Sequence, residues 1–188
     1  HSVKREEDFS WIVLSAGSTF ALGMPDGRVE VRNGATNAIT EIRFRLPPNT
    51  RHEEALAALS RNGRWLALNH GEGSVTVWNV EAGRTEHTIR APTLKKFTEM
   101  VFGDEGTTLV FACGDDVCVH DIDTGKLLAR IRHRHRDWVM SLAYSHAARL
   151  LAIGSFDDTA SVWEIDDSPT ERVVLRGHPI TRGRYRSV

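Results

Sequence analysis

One pattern of residues is written four times along this chain, at intervals of roughly 43 positions. Its clearest copy runs through Leu142–Ser145, Arg149–Ser155, Asp157–Thr159 and Ala160–Asp166. The same pattern passes through Leu59 and Ser60, Arg64–Leu68 and Val75–Val80, then through Val101 and Phe102, Gly106–Phe111 and Val117–Asp123. The first copy is thinner, carried by Leu14 and Ser15, Phe20–Leu22 and Val29–Asn33. Such a repeat constrains the architecture before any single residue is interpreted, because one short unit must pack against its own likeness. It also favours a binding surface over a catalytic centre.

Each copy alternates apolar and polar residues with a period of two, as in Val29–Val31, Val75–Trp78 and Val117–Val119. Alternation rich in β-branched residues reads as strands. Turn formers separate the runs, among them Asn62 and Gly63, Ala82 and Gly83, Thr124 and Gly125, and Asp157 and Asp158. They supply positive φ and local side-chain hydrogen bonds for tight hairpins. Each unit therefore holds about four strands. The stretch Ala55–Ala58 has helix-like composition, but its place in the repeat is that of a first strand. A lone four-stranded unit cannot bury both faces, so the expected fold is all-β, with antiparallel blades stacked around an axis as a β-propeller. The expected divisions are a charged segment at 1–8, units at 9–47 (weak), 53–91, 95–132 and 137–176, and a further blade start or basic linker at 177–188. Pro47, Pro48 and Pro92 fall at the joins, where a missing N–H costs least.

Composition excludes several classes. Of the 188 residues, 40% are hydrophobic and 26% charged, an ordinary globular balance, and no apolar run approaches bilayer length. A net charge of −1 makes the chain a poor general nucleic-acid binder. Two cysteines are too few for a disulfide scaffold. Cys113 and Cys118 are expected as reduced strand residues, which favours an intracellular, cytoplasmic protein.

The repeat resembles that of the WD-repeat β-propeller family, strongly over 135–178, moderately over 55–132 and weakly over 9–47. In that family a blade carries a Gly-His entrance, a Gly-Ser strand, an Asp turn and a strand ending in Trp-Asp. Here Gly154, Ser155, Asp157, Trp163 and Glu164 match, and His135 follows Arg134 where Gly-His is expected. The resemblance implies that His135, Ser155, Asp157 and Trp163 form a buried hydrogen-bonded tetrad with a structural role. Elsewhere it implies only partial positions: Trp78 in the second unit, Asp115 in the third, and His178 at the entrance to a fifth. His70 and Glu72, Cys113 and His120, and Arg32 depart from the pattern, so those units are expected to rely mainly on apolar packing. Family rings mostly close with seven blades. About four are present, so the ring is expected to be incomplete and its missing blades to lie in further sequence or on a partner. The absence of an initiator Met agrees with that expectation. A closed four-blade ring and an eight-blade dimer remain open alternatives.

No catalytic motif accompanies the repeat: there is no Gly-x-Ser-x-Gly elbow, phosphate loop or His-Glu-x-x-His. The paired acids Asp115 and Asp116, and Asp157 and Asp158, recur at matching turns and read as hairpin chemistry. The run from Arg130 to Arg136 suits acidic or phosphate groups, RNA included, but better suits an outer strand whose charges oppose edge pairing. His133 and His135 share a strand face but lack a third ligand nearby, and Cys113, Cys118 and His120 occupy strand positions of the repeat where core side chains belong, so neither set reads as a zinc site. No metal, cofactor or catalytic residue is expected. The basic tail from Arg182 to Ser187 reads as a linker.

The function these observations favour is a non-catalytic protein-interaction scaffold for intracellular signalling. Its docking surface, placed by the resemblance at the entrance loops and Asp turns, comprises Arg134, Arg136, Asp137, Trp138, Phe156 and Asp116, with Gly114 nearby. Trp138 is open between docking and inward packing. The alternative is a ligand-sensing or autoinhibitory region of a larger signalling enzyme, a nucleotide-driven switch or a protease. Expected partners are proteins or further blades of the same protein, with no membrane among them and RNA at the 130–136 run ranked last.

Overall fold

A computed structural model describes residues 11–14, 18–24, 28–43, 57–69, 74–90, 99–103, 106–114, 116–132, 135–166 and 168–176. These form four antiparallel sheets of four strands, each paired in chain order, with no helix among the described residues. Sheet 1 comprises β1 (Trp11–Leu14), β2 (Thr19–Gly23), β3 (Arg28–Asn33) and β4 (Ile39–Arg43). Sheet 2 comprises β5 (Ala57–Leu59), β6 (Trp65–Asn69), β7 (Ser74–Asn79) and β8 (Arg84–Arg90). Sheet 3 follows with β9 (Met100–Gly103), β10 (Thr108–Cys113), β11 (Asp116–Asp121) and β12 (Leu127–Ile131). Sheet 4 holds β13 (Val139–Ser145), β14 (Leu150–Ser155), β15 (Thr159–Glu164) and β16 (Thr170–Arg176). The helix-like Ala57 and Ala58 do lie in a strand, because the repeat position outweighs helix propensity. Pro47, Pro48 and Pro92 lie outside the described residues.

The first strands meet in succession, β1 against β5, β5 against β9 and β9 against β13. The sheets thus stand like blades side by side, and three apolar cores fill the gaps between them. Ala21, Val29, Val31 and Ile42 pack on Leu59, Leu66, Leu68 and Val80. Val75, Val77 and Ile89 pack on Phe102, Leu109, Phe111 and Ile122. Val110, Val117, Val119 and Ile131 pack on Leu142, Leu151, Ile153 and Trp163. Each fully buried Val, Leu, Ile or Phe contributes about 1.5–3 kcal/mol, so these interfaces, more than the turns, hold the blades together. The ring is not closed: among the described residues no comparable contact joins β13 to β1.

The repeat is visible in the ladder itself. The third and fourth strands pair Val29 with Ile42, Val75 with Ile89, Val117 with Ile131 and Ala160 with Leu175. The residue after the Trp-equivalent position stitches the next turn in three sheets. Asn33 Oδ1 accepts the Ala35 and Thr36 N–H groups, Asn79 Oδ1 accepts that of Ala82, and Asp121 Oδ1 that of Thr124. Glu164 is too long for this Asx turn and pairs with Arg172 instead.

One expectation is corrected. Cys113 and Cys118 are not free thiols but form a disulfide across the β10–β11 hairpin, with Cα atoms 5.8 Å apart. The register explains it: Phe111 opposes Cys118 and Cys113 opposes Asp116, so both cysteines project diagonally from one face of the pair. The compartment argument that relied on reduced thiols loses its footing. In the first and third blades polar and covalent ties add to the apolar cores. Glu30 is buried and accepts from Arg32 Nε at 2.8 Å, while sheet 3 has the disulfide and a His120–Phe111 stack at 5.3 Å.

Candidate functional site

Side-chain alternation along β15 places Thr159, Ser161 and Trp163 on the face turned toward sheet 3. The chain enters β13 past His135, whose ring reaches this face. His135 Nδ1 lies 2.7 Å from Thr159 Oγ1, and Nε2 lies 2.8 Å from Ser161 Oγ. Trp163 Nε1–H donates to Ser161 Oγ at 3.0 Å, and Thr159 Oγ1–H donates to Asp157 Oδ1 at 2.5 Å. One proton arrangement serves every link. Trp163 donates to Ser161, Ser161 to His135 Nε2, His135 Nδ1 to Thr159, and Thr159 to the Asp157 carboxylate. Such a one-directional chain leaves no donor facing a donor in a poorly solvated site.

The route differs from the expected tetrad at one residue. Ser155 is not the hydroxyl between His135 and Trp163; Ser161 is. Ser155 Oγ donates to Asp137 O at 3.1 Å and accepts Asp157 N–H at 3.2 Å, so it braces the turn at the network's acidic end. Thr159 and Ser161 were missed in the sequence, although alternation places both on the face of Trp163 and Thr76 stands likewise two residues before Trp78. Trp78 Nε1 is buried and has no hydrogen-bond partner among the described residues. Asp115, Arg134 and His178 lie outside the described residues, as do His70, Glu72 and His133.

Asp157 is the electrostatic anchor. Burial alone would raise its carboxyl, but the Thr159 hydroxyl, the Arg136 and Thr159 N–H groups and Ser155 together hold it well below the usual carboxylate range. The Arg136 N–H bond is 2.7 Å long, so the acid also fixes the segment that enters β13. His120, at the Trp position of sheet 3, is lowered by burial and by the nearby Arg130 charge, against a raising hydrogen bond to the Gly125 carbonyl.

The same anchoring presents an exposed rim. Phe156 N–H donates to Trp138 O at 2.9 Å, which sets these two residues opposite each other at the end of the β13–β14 pair. Trp138 is 58% exposed and Phe156 61%, so Trp138 faces outward. Arg136 and Asp137 are exposed beside them. On sheet 3 the corresponding turn is flanked by exposed Gly114, at φ +76°, and by Asp116, which pairs with Arg130 at 3.5 Å. Part of the basic run is therefore neutralised within its own sheet. A cavity of about 420 Å³ opens along the network, lined by His135, Arg136, Asp157, Glu171, Val174 and Arg176. Among the described residues no group of three or more His, Cys, Asp or Glu side chains is placed to hold a metal ion.

Comparison with curated proteins gives no match for the chain. Residues 125–164 match the family described as WD domain, G-beta repeat. That span covers the whole network from His135 to Trp163, and the other three sheets repeat its strand order and ladder pairs. Residues 125–164 thus carry a WD repeat, and the four antiparallel sheets are consistent with WD-repeat blades of an unclosed β-propeller.

Proposed function

We propose that these blades form a non-catalytic protein-binding platform whose docking rim is Trp138 and Phe156 with Arg136 and Asp137. WD repeats in general serve as protein-interaction scaffolds. The observation that carries the finer reading is the outward-facing Trp138–Phe156 pair, held by a backbone hydrogen bond beside the Asp157 anchor. Large aromatics flanked by arginine, on a support that costs little to order, are the side chains that dominate protein interfaces. Capture from a lysate of the source cells, comparing the native chain with Trp138→Ala and Arg136→Ala, tests it. Loss of the same bound proteins by both folded variants supports the rim. Unchanged capture by folded variants removes it.

A second observation favours a further blade as one of the partners. Leu175 occupies the ladder position of Ile42, Ile89 and Ile131, which are 2%, 4% and 2% exposed, yet Leu175 is 56% exposed. With Val173, Ala160 and Val162 it repeats on sheet 4 the face that the first three sheets bury against their neighbours. A face of that composition is covered in the assembled protein, either by additional blades of the same protein or by a sensor-type assembly to which this propeller belongs.

A further inference from the structure

Sheets 3 and 4 solve one mechanical problem in two chemistries. Ladder pairs Ala112–Val117 and Gly154–Ala160 are equivalent, so Cys113 and Cys118 stand where Ser155 and Ser161 stand one blade later. In sheet 4 those hydroxyls tie the turn between the second and third strands to the blade through hydrogen bonds. In sheet 3 a covalent bond joins the same two positions, only five residues apart in sequence. We propose that the Cys113–Cys118 bond is a redox-sensitive lock on the turn of sheet 3, the turn flanked by Gly114 and Asp116.

Its setting defines how such a lock opens. Cys113 and Cys118 are 4% and 3% exposed and belong to the core between sheets 2 and 3, packed with Phe111, Val75 and Val77. Cys113 is the last residue of β10 and adjoins exposed Gly114, so the bond lies one residue from a solvent-facing position. The reductant is a dithiol. One thiolate attacks Cys113 Sγ and expels Cys118 as thiolate; the second thiolate then attacks the mixed disulfide and expels Cys113. Two electrons pass to the protein, both cysteines take up protons, and the reductant leaves as its own cyclic disulfide. Once open, the hairpin end keeps its ladder but loses the only covalent tie among the described residues. Sheet 4 has no counterpart to this step, because hydroxyls cannot be reduced.

The test uses the whole chain, purified without reductant. Maleimide labelling in denaturant, read by intact mass, is expected to add nothing until dithiothreitol is supplied and then to add two labels. Hydrogen exchange of the amides from Ala112 to Val117 is expected to quicken roughly tenfold or more in the reduced, maleimide-blocked protein, while sheets 1 and 4 keep their protection. A Cys113→Ser/Cys118→Ser variant, which copies the serines of sheet 4 and carries no bulky label, should show the same local rise. Labelling without reductant would overturn the proposal, as would unchanged exchange in reduced protein and variant. Exchange rising over the whole chain would overturn it too, since the bond would then be a staple of the entire fold.

Discussion

Ser161→Ala is the perturbation that most directly tests the hydrogen-bond chain through sheet 4. Ser161 is 1% exposed and serves two partners, accepting from Trp163 Nε1 at 3.0 Å and meeting His135 Nε2 at 2.8 Å. Alanine strands both groups around a buried position. Each stranded group costs about 1–3 kcal/mol, and because one rotation of the imidazole relieves part of the second, the loss should be about 2–4 kcal/mol. Ser155→Ala removes bonds of 3.1 and 3.2 Å at a half-buried position where water substitutes, so it should cost about 0.5–1 kcal/mol. Urea unfolding followed by Trp fluorescence measures both. Ser161→Thr keeps the hydroxyl and should recover most of the loss. The cost of Ser161→Ala should also shrink in a Trp163→Phe background, where no indole N–H remains to be stranded, with a coupling of about 0.5–3 kcal/mol. Equal costs for the two serines, or a larger one for Ser155, would refute the route through Ser161.

Three further outcomes follow from the blade interfaces. Leu151→Ala, in the core between sheets 3 and 4, should lower stability by about 2–5 kcal/mol in the same unfolding assay, whereas truncating exposed Leu128 should change it by less than about 0.5 kcal/mol. His120 has a folded pKa below its unfolded value near 6.5, so its contribution is complete above that pH and is lost as the pH falls toward the folded value. The melting temperature should therefore fall from pH 7 to pH 5, and His120→Phe, which keeps a ring against Phe111, should flatten that part of the curve. Leu175→Glu places a charge on the uncovered face of sheet 4 and should reduce self-association in light scattering without changing the unfolding free energy by more than about 0.5 kcal/mol.

The fold was legible in the residues because its cause is local and repeated. Alternation, turn chemistry and the spacing of Val29, Val75, Val117 and Ala160 are properties of neighbours in sequence, and they specify strands, hairpins and stacking alike. The proposed docking rim was half legible: the repeat placed Trp138 and Phe156 at a strand end, but whether Trp138 points in or out depends on the bulge between Val139 and Ser141. That bulge is a matter of register and no residue type announces it.

What only the tertiary structure decided is which side chains share a face closely enough to bond. Ser155 and Ser161 are both plausible partners for Trp163 in sequence; pleating puts Ser161 on the indole's own face two residues away, whereas Ser155 ends its strand against Asp137. The cysteines show the same limit more sharply. Two thiols in a short hairpin are free or bonded according to one diagonal distance, and that distance follows from the ladder that pairs Phe111 with Cys118. Sequence by itself determined the strands, the repeat and the stacked sheets, because period-two alternation admits few other folds. Tertiary structure decided the locks inside each blade, because a hydrogen bond or a disulfide depends on separations of a few ångströms that a periodic pattern leaves free.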